Sequence, residues 1–394
     1  MQLVSLPWLL AINKKNNKMA FTISGIGDYS GISFTTTQPP PPPIYYLWSW
    51  GSGNSGQLGL GNTTYYSSPV QIGALTTWSN ISAADGWVMA LKTDGTMWAW
   101  GRNYAGQLGQ GNTTYYSSPK QIGALTTWSN ISTGKASNMF AIKTNGTLWA
   151  WGGNYGYKLG LGDTTNRSSP VQVGSLTDWA IIISLAGNGA AAIKTNGTMW
   201  SWGQGSNGQL GLGDTTNTSS PQQIGAGTTW SNITNIRFGA LATKTDGTLW
   251  TWGANGYGEL GLGDTTNRSS PVQIGALTSW SKISAGYYHS LAVKTDGTLW
   301  AWGRNAVGSL GLGDTTNRSS PVQVGGLTTW LNISGGVEHN LAIKTDGTMW
   351  SWGKNDSGKL GIGDTTNRSS PVQVGALTNW ANVSAGSYFS LAIG

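Results

Sequence analysis

Asp296-Gly297-Thr298-Leu299-Trp300-Ala301-Trp302-Gly303 is the stretch that decides how this chain folds. Its Trp-x-Trp-Gly unit recurs from Trp48, Trp98, Trp149, Trp200, Trp250, Trp300 and Trp350, at intervals of 50, 51, 51, 50, 50 and 50 residues. A period of this length marks a repeat architecture. Ahead of the stretch, Leu291-Ala292-Val293-Lys294 is a short apolar run, joined to it through Thr295-Asp296-Gly297-Thr298. Asp-Gly or Asn-Gly between two apolar runs signals a β-hairpin, with a type I′ turn and positive φ at both central residues as the expectation. The pair stands at Asp94, Asn145, Asn196, Asp246, Asp296 and Asp346.

Alternate residues of a strand share a face. Trp300 and Trp302 therefore point one way, and Leu299 and Ala301 the other, which suits a sheet packed between two neighbouring sheets. A third Trp precedes another run (Trp78, Trp128, Trp179, Trp230, Trp280, Trp330, Trp380), so the repeats hold 21 of the 23 tryptophans. Their role is core packing, and each indole N–H calls for an acceptor. Ile283-Ser284-Ala285-Gly286 and Pro321-Val322-Gln323-Val324 supply two more runs. Four short strands in about 50 residues, with no helical period, describe the blade of a β-propeller.

The order Ile283-Ser284-Ala285-Gly286-Tyr287-Tyr288-His289-Ser290-Leu291-Ala292-Val293, then Asp-Gly, Trp-x-Trp-Gly-x-Asn and Gly-x-Leu-Gly-x-Gly-Asp, resembles the regulator of chromosome condensation repeat over about residues 47–394. The resemblance implies an all-β, seven-bladed propeller of four-stranded antiparallel blades. Its members include a nuclear guanine-nucleotide exchange factor, secreted bacterial inhibitors of β-lactamase and many binding proteins. It speaks to fold far more than to function.

The chain has 394 residues, only 9% charged, with 60 Gly and a net charge of +7. The tryptophans and the strict repeat argue for a folded body. Lys92, Lys143, Lys194, Lys244, Lys294 and Lys344 recur, most with Asp two residues on, and read as a solvated rim rather than a nucleic-acid patch. With no Cys, disulfides, zinc-thiolate sites and thiol catalysis are excluded.

Residues 1–34 read as a leader or anchor peptide, 35–46 as a Thr/Pro-rich spacer and 47–394 as the propeller. The apolar run Leu3 to Ile12 is too short to span a bilayer. Its basic residues follow it, against the order of a secretory signal, and Met19 is an alternative start. Five consecutive prolines from Pro39 form a stiff spacer. The propeller enters in mid-repeat. One blade is thus expected to combine Leu47-Trp48-Ser49-Trp50 with Leu391-Ala392-Ile393, closing the ring without exposed sheet edges.

Residues alike in every blade build the scaffold, so local function is sought where blades differ. Antiparallel order puts the loops between strands one and two on the same face as those between strands three and four, and the variation collects there. The first set includes Asp85, Trp87, Arg237, Phe238, Tyr287, Tyr288, His289, Glu338, His339, Tyr388 and Phe389. The second includes Arg102, Tyr104, Tyr155, Tyr257 and Arg304. Aromatic and Arg side chains presented together suit a protein or glycan ligand. The resemblance gives His289 and His339 a structural hydrogen bond, and no metal is expected. The Gly-Asp-Thr-Thr-Asn-Arg loops lack the calcium-loop pattern, and the Asp side chains are expected to cap local backbone N–H groups. No nucleophile, base and acid come together, so neither an enzyme nor a cofactor is expected.

The function expected on these grounds is a non-catalytic binding propeller on a phage virion, as decoration, fibre or host-glycan binder. Residues 1–46 would join other virion or surface proteins, with an extracellular location as the alternative. The competing readings are a small-GTPase exchange factor, although no repeat carries a long insertion to wedge a switch region, and a secreted enzyme inhibitor.

Overall fold

The computed structural model describes residues 45–394; the leader 1–34 and most of the spacer lie outside the described residues. The described residues hold seven four-stranded antiparallel sheets, one per blade. Blade 1 is β3 (Trp78–Ala83), β4 (Trp87–Lys92), β5 (Met97–Gly101) and β6 (Tyr116–Gln121). Blade 2 starts at β7 (Trp128–Thr133), blade 3 at β11 (Trp179–Leu185), blade 4 at β15 (Trp230–Ile236), blade 5 at β19 (Trp280–Ala285) and blade 6 at β23 (Trp330–Gly335). The closing blade has the order β2 (Tyr66–Gln71), β1 (Leu47–Gly51), β28 (Phe389–Ile393), β27 (Asn382–Ala385). The first strand of each blade packs on the first strands of both neighbours, and this chain of contacts returns from β27 to β3, so the ring is shut around a central axis.

The expected closure holds residue by residue: Trp48 pairs with Ala392, Ser49 with Leu391 and Trp50 with Ser390. Pairing runs past it, since Tyr46 and Gly394 exchange both backbone hydrogen bonds and Tyr45 bridges Thr77.

The core lies between the blades. Leu299 and Ala301 pack with Trp330 and Trp352 of the next blade, whereas Trp302 packs with Leu249, Leu260 and Ile274 of the preceding one. This is the two-faced alternation read from the sequence. Trp302 also donates its indole N–H to the Glu259 carbonyl in the preceding blade, at 3.0 Å. The same bond repeats around the ring, from Trp50 to Lys359 and from Trp100 to Gln57. The indole lies so close to Gly261 (φ +73°) that a Cβ there would meet Nε1 at 2.6 Å. Trp300 donates to Thr298 Oγ1 (2.9 Å), but Trp280 Nε1 has no acceptor among the described residues.

Two sequence expectations are corrected. In the hairpins only the glycine has positive φ (76° at Gly95), and Gly95 N–H donates to the Lys92 carbonyl. This is a type I turn closed by a left-handed glycine rather than type I′. Asp94 favours it, because Oδ1 accepts from both Thr96 N–H and Thr96 Oγ1. The recurrent lysines do not form a solvated rim. Lys294 Nζ lies 3.8 Å from the Trp300 ring centroid and Lys344 Nζ 3.5 Å from that of Trp350, as cation–π caps on the outer indoles.

Candidate protein-binding face

The first-to-second and third-to-fourth strand loops share one face, as Arg102 and Asp85 show by pairing across them at 3.9 Å. The sixteen residues singled out there separate into three groups.

Trp87, His289, His339 and Phe389 are buried and do not belong to a binding surface. Each is the first residue of its second strand and pairs with the glycine of Trp-x-Trp-Gly, as His289 does with Gly303. Position in the strand, not residue type, decides their burial. His289 Nε2 lies 2.7 Å from Asn340 Oδ1 in the next blade, and Asn340 Nδ2 donates to the Ser309 carbonyl. Nε2 therefore carries the proton. Burial pushes the His289 pKa down to about 4, so the ring is neutral. His339 does the same with Ser390 Oγ at 3.0 Å, its pKa well below the usual value. The histidines are structural, as the resemblance implied, and no cluster of metal-ligating side chains occurs among the described residues.

Arg237, Phe238, Tyr257, Tyr287, Tyr288, Arg304 and Glu338 do come together, across blades 4, 5 and 6. Tyr288 is the hub: its ring centroid is 5.1 Å from Tyr257 and 6.1 Å from Tyr287, with edge contacts. The Arg237 guanidinium lies 4.8 Å from the Phe238 ring, 5.4 Å from Tyr287 and 5.2 Å from Tyr288. Arg304 lies against Tyr257 and Tyr288 and pairs with Glu338 at 2.6 Å; Glu338 also holds Lys354 at 3.2 Å. Glu338 thus holds two of the cations of this surface.

The remainder are peripheral. Tyr104, Tyr155 and Tyr388 are exposed, Tyr155 at 73%. Tyr104 touches the edge of Trp87 and bonds Ser137 Oγ. Arg102 donates to Ser55 Oγ.

Lys135 was missed by the sequence reading. It belongs to blade 2, yet Nζ lies 4.5 Å from the Tyr287 ring of blade 5. Blades three apart in a ring of seven meet only across the axis, so this pair spans its mouth. A signal existed: blade 2 has one more residue between Ile131 and Asn138 than blade 1 has between Ile81 and Trp87. The surplus is absorbed at Ser137 (φ 67°), one of three non-glycine residues with positive φ among the described residues. The opposite face differs. Its exposed leucines, Leu277 and Leu327 among them, stand singly at repeat positions and need no ligand to explain them. The Asp loops hold their turns: Asp314 Oδ1 accepts Thr316 N–H, and Oδ2 pairs Arg318 at 2.6 Å. Among the described residues no helix is long and apolar enough to cross a membrane.

The profile of the regulator of chromosome condensation (RCC1) repeat matches this chain seven times in succession, at 46–91, 94–141, 145–193, 196–240, 246–293, 296–343 and 346–393. The chain belongs to that family. Among RCC1-repeat relatives, mouse Protein RCC2 is 37% identical over 91 residues, which are 23% of this chain and 18% of RCC2. The Arabidopsis thaliana RCC1 domain-containing protein RUG3, mitochondrial, is 38% identical over 87 residues, 22% of this chain and 20% of RUG3. The matched segments thus span about a fifth of those relatives' length. The crystal structure of Prp20p from Saccharomyces cerevisiae, described with its binding to Gsp1p and histones, superposes with a TM-score of 0.81. It is 20% identical and covers 90% of this chain and 92% of Prp20p, a likeness of fold. These RCC1-repeat relatives overturn the virion location and its extracellular alternative. RUG3 is named mitochondrial and Prp20p binds histones, so they are proteins of cells rather than parts of a virus particle.

Proposed function

We propose that this RCC1-repeat propeller is a non-catalytic protein-binding module whose variable face engages its partner, and that regulation of a small GTPase is the role that best suits it. The aromatic–cation cluster around Tyr288 carries the reading: large rings and guanidinium groups, held by one another, occupy one sector of one face while the rest of the ring repeats. The GTPase role draws support from the exchange factor in the family and from the binding of Prp20p to Gsp1p. The layout of a leader over 1–34 and a spacer over 35–46 ahead of the propeller is part of the same proposal.

The test is a capture experiment with the full chain against a panel of small GTPases, followed by nucleotide-release assays on those retained. Wild type is expected to retain a GTPase and Y287A/Y288A to lose it. Equal capture of every protein by both would remove the face from consideration. Capture without accelerated release would leave a binding module that is not an exchange factor.

A further inference from the structure

Most charges on the variable face are already satisfied. Arg304 and Lys354 share Glu338, Lys359 pairs Asp356 at 2.9 Å, and Arg102 faces Asp85. Lys158 donates to the Ala136 carbonyl. Arg237 and Lys135 are different. Neither has a carboxylate in contact nor a side-chain hydrogen bond among the described residues, and both lie against the ring of Tyr287. Both are half-buried. The aromatic rings attract a cation through their faces but leave its N–H groups without acceptors. Partial burial makes those unused donors costly. A bound anion would satisfy them.

We propose that Arg237 and Lys135 form a receptor for carboxylate side chains at the mouth of the central axis, and that the partner presents an acidic peptide segment to it. This rests on the variable face being a protein-binding face, and it names the chemistry the partner must offer. A guanidinium offers a planar fork that matches a carboxylate in bidentate fashion, and an ammonium nearby adds a point charge. A polyphosphate chain fits less well. It needs a run of unpaired cations, whereas here there are two.

Proton linkage gives a second readout. Partial shielding from water pushes the Lys135 pKa down to about 8, against the opposing pull of Asp85. The other groups nearby, His289 and His339, are neutral, and Tyr287 has its pKa raised to about 12. Near that pH a fraction of Lys135 is unprotonated, and an arriving carboxylate favours the charged form. Binding must then take up protons.

The experiment is isothermal titration calorimetry of the full chain with hexaglutamate at about pH 8 and low salt, in buffers of different ionisation enthalpy. Hexaglutamine and inorganic triphosphate serve as comparison probes. Hexaglutamate is expected to bind with proton uptake, and hexaglutamine not to bind. R237Q and K135Q are each expected to weaken binding by about tenfold, and K135Q to abolish the uptake. K120Q, on the outer strand β6, makes the same charge change and is expected to alter neither. If R237Q unfolds, R237K, which keeps the charge and loses the fork, takes its place with a smaller loss. The proposal is overturned if hexaglutamate does not bind, if K120Q weakens it as much as R237Q, or if triphosphate binds more tightly. Should it fail in these ways while Y287A/Y288A still loses its captured GTPase, only the acidic chemistry is wrong. Should both fail, the face itself has been misread.

Discussion

Trp302 and Glu259 lie in different blades, 43 residues apart, and the indole N–H of one meets the backbone carbonyl of the other at 3.0 Å. Ser290 Oγ donates to the same carbonyl at 2.8 Å, so it keeps a partner when the indole is changed. Trp302→Phe is therefore expected to lose one buried hydrogen bond and some packing, about 1–2 kcal/mol. Trp302→Ala empties an inter-blade core position and should cost about 3–5 kcal/mol. Gly261→Ala meets both the indole and a left-handed backbone, and should cost more than Trp302→Phe. Urea unfolding of the three variants, followed by Trp fluorescence, gives the order.

The closing blade has no covalent hairpin. In its place Trp48 Nε1 donates to the Gly394 carbonyl at 3.2 Å, where other blades use a hairpin threonine. Deleting residues 389–394 removes β28 and leaves β1 without its inner partner. The product is expected to open and to self-associate through the bared edge. Light scattering after size exclusion checks this; a monomer of unchanged hydrodynamic radius would contradict it.

His289 is held neutral by burial, its pKa about 4 against 6.5 when unfolded. Between those values the unfolded chain binds the extra proton. The neutral state's advantage is full above about pH 6.5 and is lost as pH falls toward 4. The loss is on the order of 3 kcal/mol for this group alone. His339 acts in the same direction. His289→Gln should be less stable near neutrality and should show a shallower decline between pH 6.5 and 4.5 in chemical denaturation.

Serine hydroxyls staple adjacent first strands near the axis. Gly335 N–H donates to Ser284 Oγ, Ala385 N–H to Ser334 Oγ, and likewise at Ser384, Ser82 and Ser132. The two junctions of blade 4 lack this bond among the described residues. Ser184 Oγ is unpartnered, and Thr234 stands where blades 1, 2, 5, 6 and the closing blade have serine. Backbone amides of β15 are expected to exchange faster than those of β7 and β23, which are stapled on both sides, as hydrogen exchange read by mass spectrometry would show. Uniform protection around the ring would mean that the staples add little.

Much of this was legible in the residues. The 50-residue period, the two-residue alternation of Leu299-Trp300-Ala301-Trp302 and the mid-repeat entry are local patterns. They led directly to seven blades, the two-faced sheets and the pairing of Leu47 with Ile393. The candidate face was legible as a set of loops but not as a surface. Trp87 and Phe389 look like anchors in the sequence and are core, because the first residue of each second strand turns under the face. The lysines after the apolar runs look solvated until the outer indoles are placed beneath them.

The order and number of strands, and the way the ring shuts, were set by the sequence alone, since hydrogen-bond register and side-chain alternation are properties of neighbouring residues. Only the tertiary structure brought Lys135 of one blade to Tyr287 of another and sorted buried from exposed among variable residues of equal hydrophobicity. Those relationships depend on the radius of the closed ring and the direction of each loop at its mouth, and no pattern within one repeat encodes either.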